Sequence, residues 1–253
     1  MTKPSVLVVA DLHLDQWKHR GLDPLGALPA AEWAALDGLI VAGDLSNAAL
    51  RKWPRHLARL AQRMDPARIH VIPGNHDYYE LRLGDDAALA GLCRDHGVHL
   101  AQTTEIDIAG QRFLCATLWT DFARPADPAR LTDFTRIAGE NGPLSVSEVQ
   151  KLHRAQRDWL DARLGACAGR AIVVSHHVPH PDLLAPGTRA PGAFAADLGA
   201  LMRRHRPQGW LFGHAHDALS REIEGVPCRN VALGPPAHCP DPGARLSDLI
   251  RRL

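Results

Sequence analysis

Residues 5–13 read SVLVVADLH, and the break inside that stretch decides the fold. The segment 5–10 is a short, β-branched, apolar run, the mark of a strand buried on both faces. Asp11 stops it at once, and His13 follows two positions later. Similar runs recur at 39–42 (LIVA), 69–72 (IHVI), 113–117 (FLCAT), 171–175 (AIVVS) and 210–212 (WLF).

Segments with helical spacing lie between several of these runs. In 47–64, Leu50, Trp53, Leu57, Leu60 and Met64 stand three or four apart, with Pro54 predicting a break or kink. In 86–93, Leu89, Leu92 and Cys93 share one face. The clearest helix is 145–164, opened by the capping-box pattern of Ser145 and Glu148 and continued by Val149, Leu152, Gln156, Trp159, Leu160 and Leu164. A further helix is expected over 194–206. Near the C-terminus, strands at 219–223 and 229–233 flank a turn at 224–227. Strands alternating with helices imply an α/β sheet, mostly parallel in the first half. The Pro-rich stretch 179–191 reads as a long surface loop, and with 78–86 it is expected to shape the rim of any site.

The 253 residues suit one large domain spanning 1–253. Residues 1–3 are too short a basic region for a secretory signal, and no apolar run approaches a membrane span. Five cysteines, an odd number without a C-x-x-C pair, argue for reduced thiols and a cytoplasmic protein. With 29 basic and 28 acidic residues there is no global field to attract nucleic acid. The cluster Arg203-Arg204-His205-Arg206 reads as cations meeting the negative end of a helix dipole. Histidine, at 15 residues, is the one unusual count, and its placement is informative.

Five polar clusters sit where apolar runs stop: Asp11-Leu12-His13, Gly43-Asp44, Gly74-Asn75-His76-Asp77, Ser175-His176-His177 and Gly213-His214-Ala215-His216. Singly each is near chance level; a lone Gly-Asp is more often a turn than a ligand. Together, in order and at successive strand ends, they mark a site, because ligands gather outside the carboxyl ends of the strands in open α/β sheets. Carboxylate, amide and imidazole donors without thiolate suit Mn, Fe or Zn. In an extended segment Asp11 and His13 would point to the same side and share a metal, and a carboxylate such as Asp44 can bridge two cations. Two metals roughly 3.5–4 Å apart can clamp a phosphate and activate a shared water.

This ordered set resembles the calcineurin-like metallophosphoesterases, whose pattern is D-x-H, G-D, G-N-H-D/E, a His after a strand, and G-H-x-H. The resemblance runs from Asp11 to His216 and implies a four-layer α/β/β/α sandwich with two packed mixed sheets. It further implies that Asp11, His13 and His216 hold one metal, that Asn75, His176 and His214 hold the other, and that Asp44 joins them. His76 would be a catalytic residue outside the metal shells, a general acid toward the leaving oxygen, with Asp77 holding its imidazole. His176 rather than His177 aligns with the ligand position. The implied activity is hydrolysis of a small phosphomonoester or diester by in-line attack of a metal-bridging hydroxide. A narrower likeness, to an uncharacterised bacterial subgroup, rests on TLWTDF (117–122) and LTDF (131–134). Trp119 and Phe122 are read first as core residues, with substrate stacking the lesser expectation. A silent scaffold on the same fold would tend to lose ligands. A lipid-precursor pyrophosphatase would carry Gly-Asn-Arg-Asp at 74–77, and a nuclease finds little support in the charge balance.

Overall fold

The computed structural model describes residues 4–253, so the signal reading of residues 1–3 lies outside the described residues. All six apolar runs form strands: Ser5–Val9 (β1), Gly38–Ala42 (β2), Ile69–Ile72 (β3), Gln111–Ala116 (β6), Ile172–Ser175 (β7) and Gly209–Phe212 (β8). Five shorter or more polar strands join them: His99–Leu100 (β4), Thr104–Ile108 (β5), Ser220–Ile223 (β9), Val226–Asn230 (β10) and Ile250–Arg252 (β11). One sheet has the order β11-β1-β2-β3-β4, parallel except for β11; the other has the order β5-β6-β7-β8-β10-β9 and is mixed.

Side-chain parity along the second sheet explains why its runs are apolar throughout rather than alternating. Phe113, Cys115, Ile172, Val174 and Leu211 belong to the core shared with the first sheet. Their neighbours Leu114, Val173, Trp210 and Phe212 instead join a second cluster with Leu160, Leu164 and Met202 of the outer helices. Each face therefore has its own apolar partner, as a sheet covered on both sides requires. Helices Ala49–Ala61, Asp86–Asp95 and Pro242–Leu249 accompany the first sheet, while Val146–Ala166 and Gly199–His205 accompany the second. The result is the four-layer α/β/β/α sandwich with two mixed sheets.

Several local expectations change. The Ala49–Ala61 helix runs through Pro54 without ending, and Leu50 is 48 % exposed instead of lying in the apolar stripe. The missing Pro54 amide leaves the Leu50 carbonyl on that exposed face, where water can serve it. The expected helix over 194–206 is two pieces, Pro191–Phe194 and Gly199–His205, because Val178 pairs with the intervening chain through Phe194 and Ala196. The hairpin turn is only Glu224-Gly225, both with positive φ (52° and 79°), so β10 starts at Val226, three residues earlier than expected. Arg203 and Arg204 pair with Glu224 and Asp161 within the fold. All five cysteines are buried and free. Among the described residues no helix is long and apolar enough to cross a membrane.

Candidate metal centre

The polar clusters meet because the backbone ladders continue past the strand ends. Asp11 N–H donates to Gly43 O (2.9 Å), His13 N–H to Asp44 O (2.9 Å), Gly213 N–H to His176 O (3.0 Å) and Gly234 N–H to Asp11 O (3.0 Å). These bonds carry the order of the strands into the loops. Regular geometry does not: Asp11, His13, Asp44 and His214 have φ of 54°, 40°, 56° and 65°. Left-handed backbone costs about 1–2 kcal/mol per residue, so the strain is concentrated on four of the seven expected ligands. It also replaces one expectation. Asp11 and His13 do converge, but through a left-handed turn and not through an extended segment.

Two glycines make the approach possible. A Cβ on Gly43 (φ 93°) would collide with the His176 ring, and one on Gly74 with the Asp44 carboxylate.

Three overlapping trios of donor atoms result, Asp11–His13–His216, Asp44–His176–His214 and, between them, His13–Asp44–His76, each with its donor atoms within 4.8 Å of one another. Asp44 belongs to both sides of the site. Its Oδ2 lies 3.6 Å from His13 Nε2 and its Oδ1 3.5 Å from His176 Nε2. Asn75 Oδ1 stands 3.0 Å from His176 Nε2, which brings the amide to the second trio. His177, in contrast, turns its Nδ1 to Thr117 O at 3.3 Å and packs on Trp119 and His214. All seven sequence-predicted ligands are thus together, and His177 is outside the set. His76 also comes close to His13 and Asp44, with its Nε2 3.8 Å from Asp44 Oδ2.

The electrostatics suit cations. Burial pushes His13 and His176 down to about 3 and drives His214 well below the ordinary imidazole range, so these rings stay neutral with lone pairs available. Burial works against ionising Asp11, yet the hydrogen bond and charge of His216 and the other histidines hold it below the usual carboxylate range. Burial, with Asp11 and Asp77 nearby, raises Asp44. His13 Nε2 and His216 Nε2 face each other at 3.3 Å, but they differ: burial keeps His13 neutral, whereas at His216 burial is outweighed by the Asp11 carboxylate 3.2 Å away, which raises the ring above the ordinary imidazole range. Hard and borderline donors crowded this closely could hold a metal ion.

Asp77 does not take the place expected of it. Its Oδ1 accepts from Ser46 N–H (3.0 Å) and Trp53 Nε1–H (2.8 Å), its Oδ2 from Gly74 N–H (2.8 Å) and Leu45 N–H (3.3 Å). With all its acceptor sites engaged, it clamps the Gly43 loop to the Gly74 loop and leaves the imidazole alone. The His76 ring is held instead by Asn47, whose Oδ1 is 2.6 Å from Nδ1. Asn47 ends the GDLSN stretch, and helical or loop spacing carried no sign of its role.

The cavity over these donors measures about 660 Å³. Its walls include Tyr79, Asp133, Thr188, Phe194 and His238, so parts of both expected rim loops are present. Asp133, within the LTDF stretch, accepts from Asn75 Nδ2–H and from the Tyr79 hydroxyl, each at 2.9 Å. That bond turns the Asn75 oxygen toward His176. His238 does a similar service on the other side, its Nδ1 2.9 Å from His216 Nδ1. Trp119 is buried against His177 and Tyr78, and Phe122 packs edge-on against Phe134, so both are packing residues.

Comparison with known proteins agrees with this geometry. A curated protein, "Uncharacterized protein L509" of Acanthamoeba polyphaga mimivirus, is 24 % identical over 222 residues, covering 78 % of each chain. Among solved structures, phosphopantetheinyl hydrolase (PptH) from Mycobacterium tuberculosis superposes with a TM-score of 0.70 at 19 % identity, over 94 % of this chain and 92 % of that one. A putative 5'-nucleotidase from Staphylococcus aureus gives 0.55 at 14 % identity, over 90 % of this chain but 48 % of its own. The profile described as calcineurin-like phosphoesterase matches residues 4–218, a span that contains all seven donors and both loops joined by Asp77. The chain belongs to the calcineurin-like phosphoesterase family.

Proposed function

We propose that this protein hydrolyses small phosphate esters, monoesters or small diesters, at a dinuclear metal centre in the cytoplasm. Asp11, His13 and His216 would hold one ion, Asn75, His176 and His214 the other, with Asp44 serving both. The observation that carries this reading is Asp44 offering one carboxylate oxygen to each group of histidines. When bound, such ions supply Lewis acidity toward the phosphoryl oxygens and lower the pKa of water in the site.

The chain's own residues supply the rest. Asn47 Oδ1 accepts a hydrogen bond from His76 Nδ1–H, which leaves Nε2 facing the cavity. From there the ring can hydrogen-bond a phosphoryl oxygen or, once protonated, pass a proton to the leaving oxygen. Tyr79, tilted over His76 at 4.6 Å between centroids, holds the ring on its free side. Asp133 and His238 keep Asn75 and His216 in register.

The test is a metal-reconstituted screen with an aryl phosphate and a bis-aryl phosphate, extended to nucleotides, cyclic nucleotides and, given the name of one structural relative, phosphopantetheinyl esters. Metal-dependent release of product from at least one of these is expected. A chelator-sensitive metal complement of two equivalents with no hydrolysis of any would leave a scaffold and sink the proposal.

A further inference from the structure

Beside the metal centre lies a second cavity, of about 930 Å³, and the two share His238 as a common wall. Its cationic lining comes from two separate helices: Lys18 and, just beyond the first, Arg20; Lys52 and Arg55 from the second. Asp15 is the one carboxylate on its walls, and it is committed to Lys52 at 2.7 Å. Among the described residues no carboxylate lies within 4.0 Å of Lys18, Arg20 or Arg55. Arg55 is informative because its neighbours on the same face of the chain differ from it. Arg51 pairs with Glu80, and Arg59 and Arg63 pair with Asp23.

We propose that this basic cavity binds a second anionic group of the substrate, so that the preferred substrate is a small molecule carrying two separated phosphate groups. The inference rests on the phosphoesterase reading of the metal centre and deepens it. One phosphate occupies the cavity over Asp44, Asn75 and His76, and the remainder of the molecule passes His238 to place its second phosphate among Lys18, Arg20, Lys52 and Arg55. A helix dipole accounts for cations at the end of the Leu14–His19 helix, but not for their meeting Lys52 and Arg55 from another element. With a net charge of +1 over the whole chain, the concentration at one wall of three cations without a carboxylate partner, of which Arg55 touches only the His56 ring at 3.3 Å, is a local feature. Ammonium and guanidinium groups form their strongest hydrogen bonds with such doubly charged oxyanions.

The test compares adenosine 3',5'-bisphosphate, adenosine 5'-monophosphate and 4-nitrophenyl phosphate on the metal-loaded full chain. KM for the bisphosphate should lie about tenfold below that for the monophosphate, and the gap should shrink between about 0.05 and 0.5 M salt. Arg20→Ala combined with Arg55→Ala should close the gap, and Arg55→Glu should invert it while the melting temperature holds. Equal KM values in the unaltered protein, or the same loss for both nucleotides in the variants, would overturn the proposal. If none of the three compounds is hydrolysed, the monoester half of the parent reading fails, and the wider screen above decides its diester half. Calorimetric binding of the two nucleotides then decides the cavity: tighter bisphosphate binding upholds it and equal binding overturns it.

Discussion

The two halves of the candidate metal centre are built from similar residue types and held differently. Around Asn75 and His176 two of the three donors are tied down by hydrogen bonds, while the third, His214, is held by ring packing against His176, His177 and Phe194. His176 is fully buried with Nδ1 3.0 Å from Ala42 O, and the Asn75 amide is oriented by Asp133. Around His13 and His216 the hold is looser. His13 Nδ1 has no partner among the described residues, and His216, 24 % exposed, leans on the exposed His238. The difference teaches that one half is shaped before anything binds, whereas the other depends on what binds there. The His216 half is also the one that adjoins the basic cavity, through the shared wall of His238.

The largest effect should come from removing what the halves share. Asp44→Ala should release both metals, read by elemental analysis, and lower hydrolysis of an aryl phosphate by on the order of 10³-fold or more. Retained activity in the metal-depleted variant would break the scheme. Next, His176→Ala and His216→Ala should each cost one metal equivalent but differ in stability. The first empties a fully buried position and should cost about 2–4 kcal/mol in a urea titration. The second, at the rim, should cost less than about 1 kcal/mol. Equal losses would erase the contrast.

A smaller effect is expected one layer out. Asp133→Ala should weaken metal binding by about 10–100-fold in a Mn²⁺ titration, as for other residues that orient ligands. His238→Ala should act at the low end of that range. If the Asp133 variant binds metal as before, the Asn75 amide needs no orienting partner. The smallest effect lies remote from both halves. Burial pushes His56 and His70 down to about 4. Below its ordinary pKa of 6.5 the unfolded chain takes up their protons more readily, so stability present above pH 6.5 is lost as pH falls toward 4. For the buried His56, His56→Leu should remove about 1–2 kcal/mol of that dependence in metal-free protein. An unchanged slope would assign it to the site histidines.

Much of this architecture was legible along the chain. The runs at 5–10, 39–42, 69–72, 113–117, 171–175 and 210–212 are strands because β-branched side chains fit a doubly covered sheet. The Ser145–Glu148 capping box opens the Val146–Ala166 helix as its spacing predicts. The hairpin was misplaced because Pro227 suggests a turn, while the conformation that closes the hairpin belongs to Glu224 and Gly225. Of the break or kink that Pro54 suggests, the break does not occur, since the burial of Trp53, Leu57 and Leu60 carries the helix through.

The site divides along a similar line. Residue types and order were enough to assemble seven donors, because each ends a strand and parallel strands bring their ends to one side. Which side chain supports which donor was beyond their reach. Asp77 is adjacent to His76 in the chain but faces away from its ring, and the ring goes to Asn47, 29 residues distant. Asp133 reaches Asn75 across 58 residues, and His216 meets Asp11 across 205. The chain's short-range chemistry thus determined the sheets, the family and which seven candidate donors meet. Only the folded molecule decided the left-handed turns, the supporting bonds and the basic cavity beside the candidate metal site. Those depend on where side chains point once distant loops are packed, and no local pattern encodes that direction.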